Sequence, residues 1–367
     1  MKKILLISKE WSPKQNTGLG LCSAEHEKIL KSLNYDVITV SSNDLSKDFS
    51  VGFKNFTNFI FKAYFYFNKC EKIINSVKPD LIVVESLQTV ISEIFLYLAY
   101  KNSVKSVIIS HGVSIFPHKI KFIYILRFAL WLFYIPLFYY LLKISNYLFS
   151  LDTKSKNVRH LDTNLCKIIK NDKVFLYNNT SRFEDFKKII KTKDTQKYIL
   201  CLGYINHIKN QFELIEIAKK TKELDVTYKI VYNYFDKRYF DTFKVKLKKA
   251  GLRNIVILHE KDVNIFEEIS NCWLLINVSI TEVMPLSLIE GNCLSKTFLS
   301  YNVGSVDKLT GIINQNTQQM IFNLKSLYHN KFFKEKLENQ SLKIYKAYYS
   351  NNKLLESFLK FNEIIKY

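Results

Sequence analysis

Two glutamates separated by seven residues, Glu282 and Glu290, carry the chemistry most easily read from this chain. They lie in the segment WLLINVSITEVMPLSLIEG, residues 273–291. The apolar run reads as a strand ending near Ser279, followed by a loop and then a helix opening at Pro285. Proline suits the first helical turn, where its missing N–H has no partner to lose. The N–H groups of Leu286, Ser287 and Leu288 then point beyond the strand's carboxyl end. Open α/β sheets bind ligands there, and a helix N-terminus favours an anion. Glu282 falls in the loop. Glu290 falls about one and a half turns into an otherwise apolar helix, directly before Gly291. A carboxylate on the buried side of such a helix needs a hydroxyl or cation partner. The plain alternatives are a helix-capping role for Glu282 and a solvated position for Glu290.

A second site points the same way. After the strand-like run YILCLG, ending at Gly203, comes YINHIKNQ and then an amphipathic helix from about Gln211. Lys209 precedes that helix N-terminus, where the macrodipole disfavours a cation by up to about 1 kcal/mol. A bound anion would remove the conflict, and a solvated lysine leaning away is the plain alternative. Earlier, Gly18-Leu19-Gly20 closes a loop from the first strand, KEWSPKQNTGLG. The third glycine of a dinucleotide fingerprint is missing and the loop is long for one. It reads as a glycine loop that admits a phosphate or sugar close to the backbone, or as a plain turn. His111 follows the apolar run SVIIS and precedes Gly112, again at a strand's carboxyl end, where a lone histidine is either a structural hydrogen-bonder or a site residue.

The elements that must position these residues alternate along the chain. Candidate strands fall at 3–8, 36–41, 80–85, 105–110, 147–151 and 173–177, with helical patterns such as 21–33 and 87–102 between most of them. A charged stretch follows, and the rhythm restarts at 198–203, with further strands at 227–232, 254–258, 273–278 and 297–300. The segment from about 317 onward is helical in pattern. Such alternation predicts parallel sheets with helical crossovers, in two doubly wound halves. The expected division is an N-terminal domain over 1–182, a linker over 183–197, and a nucleotide-binding domain over 198–345. A C-terminal helix over 346–367 would be able to cross back to the N-terminal domain.

The stretch TEVMPLSLIEG resembles the motif of the family 4 glycosyltransferases. The following NCLSKTFLSYNVGSV looks like the strand and glycine turn that come after that family's second glutamate. The resemblance implies the GT-B fold, an α/β architecture of two Rossmann-like doubly wound domains facing across a cleft. It implies transfer of a sugar from a nucleoside diphosphate, UDP foremost, with retention of anomeric configuration. By resemblance, Glu282 contacts the donor sugar, Glu290 holds the ribose hydroxyls, and the backbone from Met284 through Pro285, Leu286 and Ser287 cradles the diphosphate. Lys209, beside Gly203, matches a lysine that binds the diphosphate. His111 matches a histidine facing the donor sugar, and Gly18 and Gly20 match the acceptor-domain loop. Two places depart from the pattern. Tyr204 stands where an arginine is common, and Asn178-Asn179 replaces an asparagine-glycine pair. The base should lie near Leu258, His259, Glu260 and Lys261.

Composition sets the wider limits. Of the 367 residues, 48% are hydrophobic and 24% charged, which excludes disorder for the bulk of the chain. The 54 Lys+Arg against 33 Asp+Glu give a net charge of +21, which attracts anionic partners. A Lys-, Asn- and Ile-rich composition of the kind AT-rich genomes impose accounts for part of it. The six cysteines are not paired at a metal or redox spacing and read as reduced core residues of a cytosolic protein. No Asp-x-Asp metal motif occurs, so no metal or other cofactor is expected beyond the donor. Residues 122–142, FIYILRFALWLFYIPLFYYLL, carry one charge. At 1.5 Å per residue they would reach about 31 Å, enough to span a bilayer. Strands of one sheet on both sides argue against spanning, which leaves a core helix or a helix lying in the membrane interface. The expected partners are a nucleotide-sugar donor, a glycan or lipid-linked acceptor and an anionic membrane surface, with the protein on the inner face of the cytoplasmic membrane. Bacterial surface polysaccharide synthesis is the pathway class this suggests. The alternatives are a non-catalytic binding protein on the same fold and a sugar-nucleotide epimerase. A nucleic-acid-binding protein ranks last, because no recognised binding signature accompanies the charge.

Overall fold

The computed structural model describes residues 1–12, 17–52, 56–112, 134–152, 161–186 and 197–366. The chain divides into two compact units. One contains the described residues of 1–152, 159–178 and 352–367, and the other those of 179–351.

The first unit is built on a seven-stranded parallel sheet. Its strands are β1 (Lys3–Ser8), β2 (Asp36–Ser41), β3 (Phe49–Ser50), β4 (Leu81–Glu85), β5 (Lys105–Ser110), β6 (Tyr147–Leu151) and β7 (Val174–Tyr177), in the order β3-β2-β1-β4-β5-β6-β7. The runs Ile4–Ile7 and Leu81–Val84 are fully buried. Central strands covered by helices on both faces need such continuous apolar runs rather than alternation. β1 pairs with both β2 and β4, so the direction of winding reverses between β1 and β4. At that point the loops leaving neighbouring carboxyl ends diverge and leave room for a ligand.

The second unit repeats the plan with six parallel strands. They are β8 (Tyr198–Leu202), β9 (Thr227–Tyr232), β10 (Ile255–His259), β11 (Leu274–Asn277), β12 (Phe298–Tyr301) and β13 (Ile312–Asn314), ordered β10-β9-β8-β11-β12-β13. Here the reversal lies between β8 and β11. The short edge strands β3 and β13 fall outside the sequence expectation, since two or three residues carry no period to detect.

The chain passes from the first unit to the second between Asn178 and Asn179 and returns between Asn351 and Asn352. Within the second unit the two passages are stitched together. Glu184 accepts from the Tyr345 hydroxyl at 2.6 Å and from the Asn351 N–H at 2.5 Å, and the Thr180 hydroxyl donates to Asn351 at 2.8 Å. The returning helices Asn351–Phe358 and Lys360–Lys366 then complete the core of the first unit. Phe358 and Phe361 are fully buried and both lie against Phe149 of β6. Lys105 donates to the Ile364 carbonyl at 2.8 Å, and Tyr35 to Asn362 at 2.6 Å.

Part of the apolar segment 122–142, residues 122–133, lies outside the described residues, as does 187–196 of the expected linker. Residues 134–144 form a helix with two unlike faces. Phe138, Leu141 and Leu142 are buried in the core, while Leu137, Tyr139 and Tyr140 are exposed. No helix among the described residues is long and apolar enough to cross a membrane. Removing the Phe358 ring should leave a cavity between sheet and return segment. Phe358→Ala is therefore expected to destabilise the first unit by about 3–5 kcal/mol. Urea unfolding read by near-UV circular dichroism checks this, and an unchanged midpoint would show that the return segment adds nothing to that core.

Candidate functional site

In the second unit, the loops after β8 and β11 lie on either side of the winding reversal, and a backbone bond from Ile280 N–H to the Ile208 carbonyl, 2.8 Å, joins them. Asn206 shapes the first loop by accepting from the N–H groups of Ile208 (3.0 Å) and Lys209 (2.9 Å). Gly203 has φ +135°, a conformation that favours glycine, and the Lys209 side chain runs past it at ordinary contact distance. Lys209 reaches Glu282, with Nζ 2.5 Å from Oε1, and the Ser279 hydroxyl donates to the same oxygen at 2.7 Å. Charge-assisted bonds of this kind contribute about 1.5–3 kcal/mol each. The cation's conflict with the helix Phe212–Lys220 is therefore met inside the protein by Glu282, and the sequence argument for a bound anion loses its necessity.

The loop carrying Glu282 is pressed against Gly304. That residue has φ +58°, and a Cβ on it would lie 2.4 Å from the Val283 carbonyl oxygen. Both facts restrict the position to glycine. The neighbouring Ser305 N–H donates to Val283 at 3.1 Å. The next helix is Leu286–Cys293, with Pro285 as its N-cap rather than its first helical residue. The N–H groups of Leu288 and Ile289 both bond to the Pro285 carbonyl. Leu288 is thus removed from the set expected to face a ligand, and Leu286 and Ser287 remain. Met284 is buried, and its sulfur accepts from the Asn179 N–H at 3.3 Å.

Glu290 faces inward and is only 5% exposed, which removes the solvated alternative. Its carboxylate accepts from Arg182 Nε at 2.8 Å, and the guanidinium lies over the Phe183 ring at 4.7 Å. The cation that a buried Glu290 needs is Arg182, 108 positions away. Nothing in local pattern could have paired them. His259, near which the base was expected, accepts from the Lys261 N–H at 3.1 Å and meets the Tyr232 ring edge-on.

In the first unit, Gly18 and Gly20 lie in the opening turn of the helix Gly18–Ser32 rather than in a loop before it. Thr17 is the N-cap, its hydroxyl accepting from the Gly20 N–H at 3.0 Å. This corrects the expected glycine loop. His111 leaves the carboxyl end of β5 beside Glu85, the last residue of β4. His111 Nε2 lies 2.7 Å from one Glu85 oxygen, and Nδ1 of the buried His26 lies 2.8 Å from the other. Glu85 is wholly buried. Burial alone would push its carboxyl up, but the two imidazoles outweigh that and hold it down at about 2. His26, Glu85 and His111 are the described residues whose donor atoms cluster closely enough for a metal, all within 4.8 Å. The carboxylate distances are those of hydrogen bonds, so the donor set is satisfied within itself. His26 and Glu85 were not singled out from sequence, because Glu85 reads as the end of a buried strand and His26 as one polar residue on a helix.

Residues 182–323 match the family Glycosyl transferases group 1. No curated protein sequence matches the chain. Among solved structures, a glycosyltransferase from Rickettsia africae is 18% identical with a TM-score of 0.76, covering 99% of this chain and 98% of its own. HepE from Anabaena, solved in complex with UDP, is 11% identical with a TM-score of 0.70, covering 99% of this chain and 100% of its own. WaaG, a glycosyltransferase involved in lipopolysaccharide biosynthesis, is 14% identical with a TM-score of 0.70, and 99% of each chain is covered. The chain has the GT-B fold of two Rossmann-like domains, and its glycosyltransferase group 1 domain makes it an enzyme of the transferase class.

A carboxyl held below its unfolded value contributes stability that is complete above that value, 4.5 here, and is lost as the pH falls toward about 2. The stability difference between the protein and its Glu85→Gln variant should therefore shrink steadily across that acid window. Denaturant midpoints measured from pH 5 to pH 2 check this, and a constant difference would contradict the ionised state assigned to Glu85.

Proposed function

We propose that the protein is a retaining glycosyltransferase of family 4 type that transfers a sugar from a UDP-sugar to a hydroxyl of a glycan or lipid-linked acceptor. The observation that carries this reading is the paired arrangement at the β8/β11 reversal. Lys209 and Glu282 meet there, and the helix N-terminus at Leu286 and Ser287 begins four positions after Glu282. Glu290 lies buried on that helix. These groups suit the parts of one ligand: a cation and free N–H groups for a diphosphate, and carboxylates for sugar and ribose hydroxyls. Lys209 would exchange Glu282 for a phosphate oxygen as the donor enters, which frees the Glu282 carboxylate for the sugar. Glu290 would exchange Arg182 for the ribose in the same way. The leaving diphosphate is then stabilised by fixed protein charge and dipole, with no metal called for.

The first unit would take the acceptor, with His111 facing the donor sugar. A membrane-bound acceptor fits the exposed aromatic side chains Tyr64, Phe65, Tyr97, Tyr100, Tyr139 and Tyr140, all in that unit, together with the net charge of +21. Lipopolysaccharide or capsule-type synthesis at the inner face of the cytoplasmic membrane is the setting we propose.

Calorimetric titration with UDP, GDP, ADP and CMP in EDTA should show tight binding of UDP alone. Glu290→Ala should weaken it by about 1–3 kcal/mol, the usual cost of removing one polar partner. Glu282→Ala should abolish transfer and leave UDP affinity nearly intact. Equal losses of affinity in both variants would contradict the division of roles, and failure of every nucleotide to bind would favour a non-catalytic binding protein. Flotation with anionic liposomes should recover the protein at low salt and release it as salt rises. Retention at every salt concentration would remove the electrostatic part of the membrane reading.

A further inference from the structure

The buried chain of side chains behind His111 has no part in the reading above. His26 and Glu85 are buried almost completely, and both carboxylate oxygens of Glu85 are engaged by imidazole nitrogens. We infer that Glu85 is the positioning residue for His111: its carboxylate takes the Nε2–H, fixes that tautomer, and leaves Nδ1 as an acceptor-only lone pair for a substrate hydroxyl. The inference rests on the reading that His111 faces the donor sugar.

An ionised carboxylate only accepts, so the nitrogen 2.7 Å away must be the one that carries hydrogen. A neutral imidazole has one N–H, and once it is given to Glu85 the other nitrogen can only accept. Both carboxylate oxygens lie at hydrogen-bond distance from an imidazole nitrogen, the geometry of a carboxylate that accepts on each side. His26 supplies the rigidity. By holding the second oxygen at 2.8 Å it prevents the carboxylate from rotating away. His26 is itself packed, with ring centroids 5.6 Å from Tyr177 and 5.0 Å from Phe358. The two imidazoles are stacked, with ring centroids 5.8 Å apart and planes inclined at 24°, and each meets a different oxygen of the carboxylate. Glu85 ends β4, which borders the winding reversal, while His111 begins one strand further out. The carboxylate is therefore what ties the histidine to the ligand-binding end of the sheet. A site so built reads a sugar hydroxyl through its proton. It should reject a fluorine in that place as fully as a hydrogen, since fluorine has no proton to give.

The full chain labelled with ¹⁵N-histidine, assigned with His111→Gln, allows the tautomer to be read from two-bond ¹H–¹⁵N correlations without any substrate. The wild type should show His111 protonated at Nε2 alone, and Glu85→Gln should lose that single form. In parallel, UDP release from UDP-glucose, UDP-galactose and UDP-N-acetylglucosamine is followed for both proteins. The variant should bind UDP within threefold of the wild type, with KM for the sugar nucleotide also within threefold, while turnover falls at least tenfold. For the donor turned over fastest, deoxy and deoxyfluoro analogues at the hydroxyl that matters should be equally poor. An Nδ1-protonated His111, unchanged turnover in Glu85→Gln, or a deoxyfluoro donor that outperforms the deoxy one would each overturn the proposal. So would stoichiometric zinc held by the wild type and lost in the variant. Failure of the wild type to bind UDP would sink the transferase reading instead, and the wild-type spectrum alone would still decide the tautomer. That spectrum also decides it where Glu85→Gln does not fold.

Discussion

A parallel sheet that winds first one way and then the other must open at the strand pair where it reverses. The loops from those two carboxyl ends leave in opposite directions, and no helix can cover the gap between them. Each unit of this protein has one such place, at β1/β4 and at β8/β11. The residues with chemical potential cluster there because it is the one position where backbone N–H groups, loop carboxylates and a lysine can converge without filling a core. The rest of each unit is scaffold for that opening. Gly304 presses the Glu282 loop into place, and Gly291 lets its helix lie close on β11, where a Cβ would come within 2.0 Å of the Leu275 side chain.

Openings of this kind leave charged groups half out of water, and the protein answers with internal partners. Lys209 is matched by Glu282, Glu290 by Arg182, and Glu85 by two imidazoles. A carboxylate stripped of water costs several kcal/mol unless it is paired. Each pairing therefore offsets the cost of the burial and holds its group in one orientation.

The fold was largely legible in the sequence, since eleven strand positions followed from apolar runs between helical patterns and lie close to the strands observed. The placement of Glu282, Glu290 and Lys209 was legible because it depends on local order: strand, loop, helix start. Arg182, Glu85 and His26 were not. Their roles arise from contacts between residues 108, 59 and 26 positions apart, which no window of sequence contains. The glycines at 18 and 20 misled for a related reason. Glycine weakens a helix, so a loop was the natural reading, yet the Thr17 cap starts the helix regardless. Residues 134–144 show how averaging hides structure. A segment apolar in bulk has one face in the core and the other exposed.

The return of residues 352–366 to the first unit also has a consequence in time. A ribosome delivers the first 178 residues, then the whole second unit, and only afterwards the helices that carry Phe358 and Phe361. At about 5–20 residues per second, that interval is roughly ten to thirty-five seconds. Throughout it, the faces of His26 and Phe149 that those rings cover lack their backing. The first unit thus waits, with an open apolar seam, for residues 352–366 to close it. The backing of the histidine pair by Phe358 thereby comes only after the whole second unit has been made.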